Sequence, residues 1–196
     1  MRSINIQRLS YLPVAALLLS ATPMMAAPAA TPAVSAPVAQ AETARSSEEA
    51  KQLLKEVRSI AHQLTREAQT LESYSRNGVG WQGHAYQLML AKEHVNAIGD
   101  RLASLQAIRS TAAPWQQQAI DSIVPVATQL ASRTQAAIEY LNENRRQLFV
   151  PVYTEHVSTI ADHADQMKQT VSVSLELANT QEKLDELRQK AATLES

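Results

Sequence analysis

Asn77-Gly78-Val79-Gly80-Trp81-Gln82-Gly83-His84 holds three of the chain's four glycines, together with a tryptophan and a histidine, between two long helical patterns. On its amino-terminal side apolar residues recur at Leu53, Val57, Ile60, Leu64, Leu71 and Tyr74, with Leu54, Ala61 and Ala68 beside them. Steps of three and four draw a single stripe along a helix. Ser46 followed by Glu49 fits a capping box at the start of that helix, and Asn77-Gly78 fits its stop. On the carboxyl side a second stripe runs through Trp81, His84, Leu88, Ala91, Val95, Ile98, Leu102 and Leu105, and closes before Ala113-Pro114. The quoted stretch is therefore a turn that folds one long helix back towards another.

The same period continues to the end of the chain. A third stripe uses Ile120, Ile123, Ala127, Leu130, Thr134, Ala137, Leu141 and Leu148, flanked by Val124, Ala131 and Ile138. Pro114 suits the first position of that helix, where its missing N–H costs nothing, whereas Pro125 inside it predicts a kink. A fourth stripe opens at Pro151 and repeats through Tyr153, Val157, Ile160, Ala164, Met167, Val171 and Ala178. The register then changes to Leu184, Leu187, Ala191 and Leu194, so the tail from Asn179 should turn a different face inward, with an overhang or a break near Asn179-Thr180. The expectation is an all-α, antiparallel up-down-up-down four-helix bundle occupying 45–196, with helices about 46–76, 81–112, 115–148 and 152–195. No period-two alternation points to a strand, and the coiled-coil-like stripe is rich in Ala and poor in Phe.

Ahead of the bundle, Arg2 and Arg8 precede an apolar stretch from Leu9 to Leu19 and then small residues through Ala27, the pattern of a signal peptide over 1–27. Residues 28–44 are dominated by Ala and Pro and read as a disordered linker. The expected destination is export, to the periplasm or the extracellular space, with the membrane touched only through the signal. The chain has no cysteine, so neither a disulfide nor an acyl-anchored amino terminus is available. Loss of Arg2 and Arg8 would take the net charge from −1 to −3, since two of the 18 basic residues go. A near-neutral balance without a basic run argues against nucleic acid as a partner.

In an up-down-up-down bundle the first and third turns share one end. That end would collect Tyr74, Trp81, Tyr86, Phe149 and Tyr153, joined by Arg76, His84, Asn144, Arg145, Arg146 and His156. Trp81, His84, Tyr86, Asn144, Phe149, Tyr153 and His156 are the candidate lining of a site for a small apolar or aromatic ligand. The competing reading is structural: large side chains close a bundle end, and Arg145 and Arg146 sit where a helix C-terminus favours positive charge. His84 occupies a core position, so its imidazole either serves a ligand or is satisfied by a tyrosine hydroxyl or by Asn144.

Other chemistry finds little footing. No Glu-x-x-His pair projects ligands into a bundle core, so no metal or other cofactor is expected. The glycines of the turn lack the following Lys and Ser/Thr of a phosphate loop, and no Gly-x-Ser-x-Gly turn or cysteine offers a nucleophile. No catalytic residue is expected. Trp81-Gln82-Gly83 between two helices of about thirty residues superficially resembles the turn of the small Trp-x-Gly helical-hairpin proteins exported by specialised secretion systems. Those proteins have one hairpin and no amino-terminal signal, so the resemblance implies no function. The reading is a non-catalytic exported bundle that meets an unidentified protein partner or serves as a structural element, with the ligand site as the alternative. Met89 and Leu90, both off the stripe, are a candidate contact surface or ordinary scattered surface apolars.

Overall fold

The computed structural model describes residues 36–194, with side chains from residue 44 onward. The expected signal peptide, its cleavage site and the first part of the linker lie outside the described residues. Four helices pack together: α1 Ala36–Asn77, α2 Trp81–Ile108, α3 Pro114–Glu143 and α4 Pro151–Leu194, with a single 3-10 turn at Arg109–Thr111 before α3. Among the described residues there is no strand.

Each helix packs against two others, α1 and α3 both lying against α2 and α4, so the four close a ring around one core. Side-chain pairs give the registers. Between α1 and α2, Glu56 pairs with Arg101 at 2.6 Å, His94 bridges Gln63 and Glu67 at 2.8 and 2.7 Å, and Tyr74 meets the His84 ring. Lys51 of α1 reaches Glu182 of α4 at 2.7 Å. At the start of α3, Gln116 accepts a hydrogen bond from the Ala113 N–H and donates to the Ser47 carbonyl of α1, at 2.8 and 2.6 Å. The first of these satisfies an amide that α3 itself leaves open, and the second ties α3 to α1 across the diagonal.

The buried faces of α2 and α4 follow their expected stripes. His84, Leu88, Ala91, Val95, Ile98, Leu102 and Leu105 are buried on α2, as are Tyr153 through Ala178 at helical spacing on α4. On α1 the buried face keeps half of the expected stripe and takes the line beside it for the rest. Ala50, Leu54, Val57, Ala61, Leu64, Ala68 and Leu71 are fully buried, while Leu53, Ile60 and Tyr74 are only partly covered. The reason is packing: three alanines along this line let α2 and α4 approach closely, and close approach buries Leu54 and Leu64 completely. Full burial of each such leucine stabilises the fold by about 1.5–3 kcal/mol.

Several boundaries differ from expectation. Ser46 lies inside α1 and so caps nothing; residues 38–45 contain no Gly or Pro, and their Ala, Gln, Glu and Arg favour continuing the helix. α3 stops at Glu143 instead of near 148, because Asn144 leaves the helical region at φ −128°, ψ 44°, while its N–H and side chain both bond to the Tyr140 carbonyl. Pro151 reinforces that stop by disfavouring helix at the residue before it. α3 passes through Pro125, which sits on the exposed side. α4 is continuous through Asn179, and residues 179–194 are all exposed, so the tail turns no second face inward.

Candidate functional site

The turn after α1 is built by glycine. Gly78 adopts φ +70°, and the Val79 N–H then reaches back to the Tyr74 carbonyl at 3.4 Å, the closing bond of a helix C-terminal cap. Gly83 fills a different need. A Cβ there would lie 2.7 Å from Val79 Cγ1 and 3.3 Å from Tyr74 Cε2, so only glycine lets the start of α2 nest against the end of α1. That nesting delivers His84 to the bundle axis.

His84 and Tyr153 are completely buried, and their side chains meet at 2.9 Å between Nδ1 and the phenol oxygen. Tyr74 stands edge-on to the imidazole at 5.9 Å, and Tyr140 lies 5.6 Å from the Tyr153 ring. Burial pushes the Tyr153 phenol up, so it stays protonated and can donate to Nδ1. Burial also holds the His84 imidazole below its ordinary value, with the nearby backbone of Tyr74 and Val79 opposing that shift. Nε2 is buried and closes no hydrogen bond of normal geometry. A neutral histidine held by a tyrosine, with no exposed atom, suits a core that must be filled.

Of the residues expected at this end, only some gather. His84 and Tyr153 form the buried centre; Trp81 packs at the margin, where the Arg145 guanidinium lies 4.5 Å over its ring. Asn144 caps α3 and makes its bonds to the Tyr140 carbonyl. Tyr86 and Phe149 are both more than half exposed and stand outside the cluster. His156 is partly buried, with Nδ1 unpartnered. Tyr74, which was left out of the candidate lining, and Tyr140, which was missed altogether, are the two rings that complete the cluster. The signal for Tyr140 was its place one residue before Leu141 on the third stripe.

A second feature lies at the other end. Val173, Leu177, Leu184, Leu187 and Leu194 are 49 to 87% exposed, on the side of α4 turned away from the core. Thr180 and Ala191 complete their spacing, which alternates four and three without a break. Val173 and Leu177 also line an open groove of about 410 Å³ between α3 and α4, together with Trp115 and Ala119. The outer stripe of the tail therefore runs directly into a groove of mixed polarity on the bundle, whose other lining residues are Gln118, Ser122, Gln169, Thr170 and Ser174. Scattered exposed apolar residues are ordinary, but a periodic row of them is not.

Two ion pairs elsewhere on the bundle shift the carboxyl groups they hold. Arg109 grips Asp121 with two donors, Nε at 2.7 Å, which holds that carboxyl below its usual range; the Glu56 carboxyl is lowered in the same way by Arg101. Both pairs are at the surface. Among the described residues, no three His, Asp or Glu side chains are grouped to hold a metal ion, and no helix is long and apolar enough to cross a membrane. Compared with protein-family models, with curated proteins and with solved structures, the chain showed no match.

Proposed function

We propose that this protein is an exported, non-catalytic helical bundle that works by docking a protein partner on the outer face of α4. The observation that carries the reading is the exposed heptad row from Val173 to Leu194, on a helix that outruns the bundle. An apolar row at this period gains little in water and much against another helix. Export rests on Arg2, Arg8 and the apolar stretch that follows them. The up-down-up-down arrangement is supported by the pairing order along α1 and α2, where partners on α2 fall in number as those on α1 rise. The aromatic end supports a structural cap, since its central side chains are sealed from solvent and hydrogen-bond to each other through His84 Nδ1.

The test is site-specific photo-crosslinking in the producing cell. A photoreactive residue at position 184 should yield one discrete adduct, lost when Leu187→Asp is added, while the same residue at exposed position 96 yields none. Absence of an adduct at 184, or an equal yield at 96, would remove the α4 face as a docking surface.

A further inference from the structure

Resting on that docking reading, we infer that the partner presents an amphipathic helix whose apolar stripe is flanked by acidic residues. The α4 row spans three heptads, roughly 33 Å at 1.5 Å per residue. Its strict seven-residue repeat drifts around a straight helix by ~20° per heptad, and a partner helix wrapping left-handedly follows that drift. The residues beside the row carry a net positive charge. Glu176, Lys183 and Lys190 border one edge and Ser174, Gln181 and Arg188 the other, at the positions that face a partner across a coiled-coil seam, so the rim is basic over the outer two heptads, whereas Glu182, Asp185 and Glu186 lie behind it. Arg188 makes an exposed contact to Asp185 at 3.2 Å, which water screens and which costs little to exchange.

That rim decides among occupants. A second copy aligned in parallel would set Lys183 of each chain against Arg188 of the other, and an antiparallel copy in the register that layers Leu184 on Leu187 would set Lys183 against Lys190; both repel. The chain's own residues 1–35 contain no Asp or Glu, so they cannot complement the rim either. An anionic lipid surface would meet a segment whose four acidic residues between 173 and 194 outnumber its three basic ones. A helix with Glu or Asp at its flanking positions matches both the row and its border. Its far end would settle in the groove beside Trp115.

The experiment uses the whole exported chain and two labelled three-heptad peptides with leucine at the seam, one carrying Glu and the other Lys at the flanking positions. Fluorescence anisotropy should show the Glu peptide binding at least about tenfold more tightly than the Lys peptide, with the advantage shrinking at high salt. The double variant Leu184→Asp with Leu187→Asp should lose binding and keep the melting temperature, because both side chains lie outside the core. Lys183→Glu with Lys190→Glu should move the preference towards the Lys peptide. Equal binding of the two peptides, a preference for Lys, self-association abolished by Leu187→Asp, or leucine-dependent binding to phosphatidylglycerol vesicles would each overturn the acidic-helix inference while leaving the α4 face as a contact surface. If no probe binds, the inference falls, and the crosslink at 184 decides separately whether the docking reading falls with it.

Discussion

His84 is the residue on which burial and polarity conflict most sharply. Its Nδ1 is satisfied only by the Tyr153 hydroxyl at 2.9 Å, so Tyr153→Phe strands a buried ring nitrogen without opening a cavity. Urea titration should show a loss of about 1–3 kcal/mol. Because burial depresses the His84 pKa from its ordinary 6.5, the unfolded chain takes up a proton at a pH where the folded one resists it. Stability contributed by this residue is therefore present above that value, is lost as pH falls through the window below it, and levels off beneath the folded pKa. His84→Gln should flatten the decline that sets in as pH falls below about 6.5 relative to the unaltered protein. The glycines offer a paired test by thermal melting. Gly83→Ala forces a contact with Val79 and should cost about 1–3 kcal/mol. Gly99→Ala meets nothing within 4 Å on an exposed helix face, and should stabilise by about 0.5–1 kcal/mol.

For the helices, periodicity named the inward face of α2 and α4 correctly and that of α1 in part, with Val57, Leu64 and Leu71 buried but Leu53 and Ile60 only partly covered. Both Leu53 and Leu54 are leucines at admissible spacing, so hydrophobicity alone could not choose between them. The choice follows from the alanines at 50, 61 and 68, which share a line with Leu54 and let the neighbouring helices come close. Denaturation of Leu54→Ala should therefore show a loss of about 2–5 kcal/mol, and Leu53→Ala a clearly smaller one. A similar ambiguity affected the tail of α4. The register change at Asn179 was legible, but a row of leucines reads the same whether it faces a core or solvent, and only the lengths of the other helices leave it uncovered.

Over the whole molecule, four long helices share one narrow core in which small side chains alternate with large ones, and α4 extends past it. Such a bundle gains stability along its length, since each layer adds modest area. The proposed export makes a prediction about the entire chain. Intact mass of protein from the exported fraction should place the new amino terminus between Ala26 and Ala41; retention of Met1 in a membrane fraction would contradict it. The candidate aromatic end was half legible at this scale. His84 and Tyr153 do meet, and Arg145 lies over Trp81 beside them. Whether the rings would line a cleft or fill one was not legible, because that depends on how closely Gly83 lets α2 seat against α1.

Taken alone, the sequence determined what local periodicity and backbone chemistry can dictate: four helices and, among the described residues, no strand, the glycine turn, Pro114 at the head of α3, and the core faces of α2 and α4. These follow from spacing and from allowed dihedral angles, which act within a few residues. Tertiary structure decided the rest. It set the rotation of α1, the early end of α3, the joining of Tyr74 and Tyr140 to His84 and Tyr153, and the exposure of the α4 row. Each depends on the distance and relative length of helices far apart in the chain, and no local pattern encodes whether a neighbour will be there to cover a face.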